Sequence, residues 1–264
     1  MPVALPFLTA TAGRPAAGPR TRVFCFPHAG GSPRAFLRWQ SSLGDDIEVA
    51  AFCPPGRDQR HREPRAASVA ELAAGAAEAV RAAADGPFVF FGHSLGALVA
   101  FETARLLRGH PQPHHLIASG CAAPSLLPTR RVVETARLEG RAFTEAVGFF
   151  GGLPPEVVDD EEIAELLLPA LRADFRMVAG YRYLPGAPLD LPVTLVNGRD
   201  DPHVDGAALR PWAREAVRPP QTHWVDGGHF HFDPDPTGVT TVLRSVTSGT
   251  GDADGERWEH VEVI

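Results

Sequence analysis

The 264-residue sequence contains no lysine, and its 25 basic residues are all arginine. Chemistry that needs a lysine amine, such as a Schiff base, a Ser-Lys dyad or a phosphate-binding P-loop, is therefore excluded. Because Asp and Glu number 32, the formal net charge is −7 at pH 7, and the chain has no basic field to attract nucleic acid or an anionic membrane. We expect neither nucleic acid nor a membrane as a partner.

Cysteine is scarce too. Cys25, Cys53 and Cys121 lie in or at the end of apolar strand patterns and lack metal-ligand spacing, so buried, unpaired thiols are expected. An odd count of cysteines suits a reducing compartment. No uncharged apolar run reaches the roughly 18 residues of a membrane span, and the apolar residues 1–11 carry prolines but no basic segment, unlike a signal peptide. These features predict a cytoplasmic protein.

The most informative motif is Gly92-His93-Ser94-Leu95-Gly96, which follows the apolar run Phe88–Phe91. That run predicts a buried strand, and Ala97 to Arg108 predict a helix. A serine at a sharp turn between strand and helix, with glycines that let the two backbones pass closely, is typical of the nucleophile elbow of α/β-hydrolases. The motif predicts acyl transfer with Ser94 as the nucleophile.

Two later loops offer an acid and a base in the chain order of that fold. The strand pattern Pro192–Asn197 is followed by Asp200 and Asp201, and the loop after the short strand pattern Thr222–Val225 presents His229. An imidazole can take the serine proton and return it to the leaving group, while a carboxylate fixes the tautomer and stabilises the charged ring. We assign Ser94, Asp201 and His229.

Alternatives to this assignment stay open. Asp200 could be the acid, with Asp201 a turn residue. Other histidines could replace His229: His203, His223 and His231. Two further histidines that flank the expected site, His28 and His93, are interpreted as structural hydrogen-bonding residues.

An oxyanion needs hydrogen-bond donors, which backbone N–H groups supply. Leu95, the residue after the nucleophile, is expected to give one, and the loop after the strand Arg22–Phe26 the other. That loop, Pro27–Ser32, is related to the HGGG type of oxyanion loop. We assign Ala29 as the second donor.

The predicted strands alternate with helical patterns and cover residues 22–27, 47–53, 87–91, 115–121, 192–197 and 221–225. Such alternation predicts an α/β fold, a mostly parallel central sheet with helices on both faces. The clearest helix runs from Ser68 to Ala84 and has Glu71 at the capping-box position. Another, with Ser32 as its N-cap and Pro33 first in the helix, is expected to continue through Trp39 with its positive end towards the site.

The chain is predicted to be a single domain, residues 1–264. Its core comprises residues 22–123 and 189–248. Residues 124–188 form a stretch far longer than a crossover requires, so a helical lid insertion is predicted there. Residues 10–20 are interpreted as an arm, and residues 249–264 as a tail of unknown role.

Within the insertion, apolar residues at helical spacing predict a helix capped by Asp159, with Pro169 expected to kink or split it. These residues are Ile163, Leu167, Leu171, Phe175 and Val178. Their face could pack on the main domain or wall an acyl channel. Phe150 and Leu167 are the candidate substrate contacts, and Gly148, Gly151 and Gly152 are candidate hinges.

Five ordered motifs make a family resemblance specific: FPHAGGS, PPGR at Pro54–Arg57, GHSLG, GRDDP and GGHF. Over residues 22 to 245 the chain resembles the type II thioesterases of polyketide and nonribosomal peptide synthesis. The resemblance implies hydrolysis of acyl thioesters from the phosphopantetheine arm of acyl or peptidyl carrier proteins, clearing stalled or misloaded chains. It implies no metal and no cofactor, because the substrate itself carries the phosphopantetheine.

The triad by itself implies only acyl transfer. A small-molecule carboxylesterase, or a non-catalytic ligand-binding or scaffold protein on a hydrolase fold, remains an alternative. The arginine-rich run Arg57–Arg65 could contact an acidic carrier protein or form a solvated loop with an internal salt bridge to Glu63. The acyl group, the synthase served and the oligomeric state stay open.

Overall fold

The computed structural model describes residues 6–9, 20–151, 161–233 and 235–248, and for residues 161–166 it describes the backbone alone. The predicted Asp159 cap, the hinge candidate Gly152, the tail at 249–264 and all but the last residue of the 10–20 arm lie outside these ranges. Within them, no helix has the length and apolar character needed to cross a bilayer.

The described strands form one seven-stranded sheet in the order β1-β3-β2-β4-β5-β6-β7. They are β1 (Phe7–Thr9), β2 (Thr21–Phe26), β3 (Ile47–Phe52), β4 (Phe88–His93), β5 (Leu116–Ser119), β6 (Val193–Gly198) and β7 (Gln221–Val225). Each neighbouring pair is parallel except β1 and β3. The predicted strands are confirmed to within two residues at either end, and so is the mostly parallel sheet.

The edge strand β1 was not predicted. It has three residues and pairs antiparallel to β3, with Phe7 opposite Phe52. The ring of Phe7 packs against that of Phe24, with centroids 4.7 Å apart. A three-residue strand is too short to show an alternating pattern, and a distant partner in the chain fixes it.

Helices cover both faces of the sheet, as predicted. They are α1 (Arg34–Leu37), α2 (Gln40–Leu43), α3 (Val69–Ala83), α4 (Leu95–Leu106), α5 (Arg130–Thr135), α6 (Gly140–Gly148), α7 (Glu161–Ala179), α8 (Gly206–Leu209) and α9 (Thr237–Ser248). Side chains alternate between faces along a strand, so Phe24 and Phe90 enter the core beneath α3 and α4. Val23 and Phe91 enter the opposite core with Trp39.

The capping of α3 is as predicted. Ser68 Oγ accepts a hydrogen bond from the Glu71 N–H group at 3.1 Å. Glu71 in turn accepts one from the N–H group of Ala67 at 2.7 Å. The first bond satisfies a donor that the first turn of a helix leaves unpaired, and the second ties the Glu71 side chain back to the residue before the cap.

One helix prediction was wrong, and one of the two outcomes predicted at Pro169 is excluded. The helix expected from Ser32 through Trp39 is divided into the single turns α1 and α2. Between them the hydrogen bonds span three residues rather than four: the Trp39 N–H group donates to the Phe36 carbonyl oxygen at 3.0 Å. Turns this short have little dipole to direct at a site. Of the kink or split predicted at Pro169, the split is not found, since helix α7 runs through Pro169 as one element. Burial of Leu171 and other residues of its second half outweighs the hydrogen bond that proline removes.

The segment 124–188 carries α5, α6 and α7, and we call it the insertion. Phe143 and Val147 of α6 pack with Leu171 and Phe175 of α7 in a small core of their own. Its helices therefore hold one another while one side of the group faces the carboxyl ends of the strands.

Candidate active site

Ser94 occupies the sharp turn between β4 and α4, with φ 55° and ψ −117°. Positive φ is unfavourable for a serine and costs on the order of 1–3 kcal/mol. The flanking glycines make the turn possible. A Cβ on Gly96 would lie 2.0 Å from the Phe26 carbonyl oxygen, and one on Gly92 would lie 2.3 Å from the Gly96 carbonyl oxygen. This geometry is that of a nucleophile elbow.

Asp201 and His229 meet beside the elbow. His229 Nδ1 lies 2.9 Å from Asp201 Oδ2, and the second carboxylate oxygen accepts a hydrogen bond from the His203 N–H group at 2.8 Å. Burial raises the pKa of Asp201, but the hydrogen bond and charge of His229 outweigh it, so the net pKa is lowered. The carboxylate therefore stays ionised next to the imidazole.

Asp200 is exposed, and its backbone N–H group bonds to the Gly227 carbonyl oxygen at 3.0 Å. The structure thus brings Asp201, rather than Asp200, against His229. Backbone contact fixes the two loops on each other, since a Cβ on Gly198 would lie 2.2 Å from the Gly228 carbonyl oxygen. The aspartate and histidine loops can approach this closely only with glycine there.

The other histidines have different partners. His203 stacks on Phe150 with centroids 4.2 Å apart, and His231 Nε2 lies 3.2 Å from Ser119 Oγ. His223 lies within β7. None of the three contacts Asp201 with its ring in the way that His229 does.

The two flanking histidines, His28 and His93, behave differently from each other. His93 Nδ1 lies 3.0 Å from Ser119 Oγ, as expected of a structural hydrogen-bonding residue. The buried Nδ1 of His28 has no hydrogen-bond partner among the described residues, and its ring packs edge-on against Phe230. The prediction for His28 was wrong because aromatic packing holds this ring. Burial lowers the pKa of both, that of His28 to about 3, which keeps the rings neutral.

One cavity joins the elbow to the insertion. Its volume is about 190 Å³, and Ala29, Ser94, Leu95 and His229 all line it. Among the described residues, neither the Ala29 nor the Leu95 N–H group bonds to a protein acceptor. Both predicted donor residues therefore lie at the same cavity as the serine and the histidine.

The insertion supplies half of the remaining lining residues. The apolar lining residues from it are Leu127, Val132, Phe150, Phe175 and Val178. Phe150 therefore lies at the cavity, and its contact with the substrate stays a prediction. Leu167 does not lie there: its side chain is 43% exposed and does not line the cavity, since it precedes by a turn the part of α7 that packs inward. Leu127 and Val132 were missed because no periodic pattern in the sequence includes them.

The PPGR segment turns inward. The side chain of Arg57 is only 10% exposed; its Nη1 donates to the Gly31 carbonyl oxygen at 3.1 Å, and Nη2 pairs with Asp174. Arg60 pairs with Glu63 at 2.6 Å, the predicted internal salt bridge. Neither arginine offers a free guanidinium for a carrier protein. In the part of the chain described, no cluster of side chains suits a metal ion.

The mostly parallel sheet with a serine at its nucleophile elbow defines an α/β-hydrolase. A family model for the thioesterase domain matches residues 21–247, and the chain belongs to the thioesterase family. It is 39% identical over 226 residues to Thioesterase PikA5 of Streptomyces venezuelae, covering 83% of this chain and 78% of that protein.

Two solved structures are similar throughout. RedJ, a thioesterase of prodiginine biosynthesis in Streptomyces coelicolor, has a TM-score of 0.79 and 33% identity over 89% of this chain and 95% of its own. YbtT, a type II thioesterase of the yersiniabactin pathway, has a TM-score of 0.79 and 32% identity over 92% and 98%. The resemblance to type II thioesterases is confirmed.

Proposed function

We propose that this protein is a stand-alone thioesterase that hydrolyses acyl thioesters on the phosphopantetheine arm of acyl or peptidyl carrier proteins. Its task is to clear stalled or misloaded chains in polyketide or nonribosomal peptide synthesis. The observation that carries the proposal is one apolar cavity in which Ser94, His229 and both donor residues meet. Family membership and the named relatives support the choice of a thioester over other acyl compounds.

In the first half of the reaction, Ser94 Oγ attacks the thioester carbonyl while His229 takes the serine proton. Asp201 holds Nδ1 of the imidazole, so that the other nitrogen, Nε2, can act as the base. The negative oxygen that forms is stabilised by the N–H groups of Ala29 and Leu95. When the C–S bond breaks, His229 returns the proton to the pantetheine sulfur, and an acyl-serine ester remains.

In the second half, His229 removes a proton from water, which attacks the acyl-serine carbonyl. The second tetrahedral intermediate collapses, Ser94 Oγ regains the proton, and a free carboxylic acid leaves. Every proton moves through the imidazole, so these steps need no metal and no cofactor. The protein is proposed to act in the cytoplasm, where its three buried, unpaired thiols would persist.

The test is a panel of acyl groups of graded length, each presented as a carrier-protein thioester and as a simple ester. We expect higher kcat/KM on the thioesters, and we expect Ser94→Ala to lower kcat by on the order of 10⁶. Ser41→Ala, an exposed serine, is the matched control and should leave turnover unchanged. A fluorophosphonate should label Ser94 alone.

A folded Ser94→Ala variant with near-normal turnover would refute the assignment of the nucleophile. Equal or greater activity on the simple esters would favour a carboxylesterase instead.

A further inference from the structure

A buried carboxylate from the insertion reaches the oxyanion loop. Asp174 of α7 is 4% exposed, and its Oδ2 accepts a hydrogen bond from the Gly30 N–H group at 2.7 Å. The same oxygen pairs with Arg57. A buried carboxylate is costly unless it is paired and hydrogen-bonded, and here both conditions are met by groups that hold the loop.

The loop is fixed at four successive peptide groups, from His28–Ala29 to Gly31–Ser32. The Gly31 N–H group donates to the His28 carbonyl oxygen at 2.9 Å, which closes a turn with Ala29 and Gly30 at its centre. Gly30 has φ +73°, as the third residue of a type II turn requires. Asp174 holds the Gly30 N–H group, and Arg57 holds the Gly31 carbonyl oxygen at 3.1 Å. The Ala29 N–H group belongs to the peptide group between His28 and Ala29. The hydrogen bonds of the residues that follow in the chain therefore restrain the orientation of this peptide group.

Helix α7 also packs directly on this turn. A Cβ on Gly30 would lie 2.8 Å from Leu171 Cδ1, so the turn and the helix are in close contact. One and two helical turns further on, Phe175 and Val178 of the same helix line the cavity. The helix that walls the cavity is thus the helix that holds the oxyanion loop.

We propose that Asp174 is a positioning residue for the oxyanion hole: through Gly30 and Arg57 it sets the orientation of the Ala29 N–H group. The inference rests on the proposed function. Asp174 contacts no reacting atom. It acts by fixing a donor that must be placed correctly before negative charge develops, and loss of that preorganisation lowers the rate of the chemical step more than it weakens substrate binding.

The test compares Asp174→Ala and Asp174→Asn with the wild type on a small acyl-pantetheine thioester, which avoids carrier docking. Since misplacement by about 1 Å can cost about 100-fold, we expect Asp174→Ala to lower kcat by about 10- to 100-fold, with KM changed less than threefold. Asparagine keeps one oxygen acceptor but no charge, so Asp174→Asn should fall between. Arg176→Gln, which removes an exposed charge from the same helix, is the control.

The second readout is the affinity for hexylboronic acid, whose tetrahedral adduct on serine places an oxygen in the oxyanion hole. Its Kd should rise by about the factor by which kcat falls, whereas the inhibition constant of hexan-1-ol, which forms no such adduct, should stay the same. Equal weakening of both inhibitors, or unchanged affinity for the boronic acid in the variants, would overturn the proposal.

Thermal melting of each variant separates loss of folding from loss of function. If Asp174→Ala does not fold, Asp174→Asn and Arg57→Lys carry the same comparison. A wild type inactive on every thioester would refute the proposed function. A folded Asp174→Ala variant that hydrolyses thioesters at the wild-type rate would refute only the role of Asp174.

Discussion

At the scale of single residues, neighbouring aspartates have opposite surroundings. Asp201 is 8% exposed and bonds to His229, while Asp200 is exposed and uses only its backbone towards Gly227. Two neighbouring aspartates in a loop differ in the direction of their side chains, and a sequence does not record that direction. This is why the choice between them stayed open until the two loops could be seen together.

The first prediction at this scale is that Asp201→Asn lowers kcat by on the order of 10⁴, because an amide cannot stabilise the imidazolium and favours the wrong tautomer. Asp200→Asn is the matched control and should stay within threefold of the wild type, since its backbone bond is retained. The measurement is kcat on one acyl-carrier thioester. A larger loss at Asp200 would reverse the assignment.

Asp174 was also missed, although the sequence held a signal. It lies three residues after Leu171 and four before Val178, so it is a charged residue on the apolar face of α7. A charge on a buried stripe is rare unless it is paired. Its partner, Arg57, is 117 residues away, and no local pattern connects the two.

At the scale of elements, the long central strands could be predicted and the short peripheral ones could not. Strand β4 is buried at every position, and a run that is apolar throughout is typical of a parallel strand covered on both faces. Strand β1 and the turns α1 and α2 span three or four residues each, and tertiary contacts decide their form. The helices α5, α6 and α7 lie within the segment 124–188 that was predicted as an insertion. The division of the chain into a core and an insertion stays a prediction.

A prediction for the insertion concerns Phe150, which lines the cavity and stacks on His203. Phe150→Trp should lower kcat/KM for long acyl chains by about tenfold and for acetyl by much less, because overpacking costs about 1–3 kcal/mol where the substrate fills the space. Leu167→Trp, on the exposed side of α7, is the control and should change neither.

The measurement is kcat/KM across acyl lengths on one carrier protein. A uniform loss at all lengths in Phe150→Trp would mean that the residue supports the site without walling the acyl group. Altered selectivity in Leu167→Trp would mean that α7 presents its other face to the substrate.

At the scale of the whole molecule, several histidines are held neutral by the fold. Burial, as the largest cause, lowers the pKa of His28 to about 3 and those of His115, His203 and His231 to about 4. The ordinary value is 6.5. Between these limits the unfolded chain binds more protons than the folded chain does.

The fold should therefore lose stability on acidification before its carboxylates titrate. The contribution of these neutral rings to the free energy of unfolding is complete above pH 6.5 and is lost as the pH falls towards 4. Urea unfolding across this range should show the free energy of unfolding falling by more than about 1.4 kcal/mol per pH unit, the slope for one proton. His115→Gln should make this slope shallower, because it removes one of the titrating rings. His115 bonds to Thr194 away from the cavity, so the change leaves the active site in place. A flat profile in the wild type would contradict the prediction.

The three cysteines have a practical consequence for labelling. Burial raises the pKa of Cys121 to about 12 and raises those of Cys25 and Cys53, so at pH 8 all three are thiols rather than reactive thiolates. Maleimides and iodoacetamide should therefore leave the native protein almost untouched, and amine reagents find no lysine side chain. A single cysteine introduced at the exposed Leu167 would carry a fluorophore on α7 without prior removal of any native thiol. Because the buried thiols do not react in the folded state, the slow rate at which the native cysteines are modified measures how often the folded molecule opens.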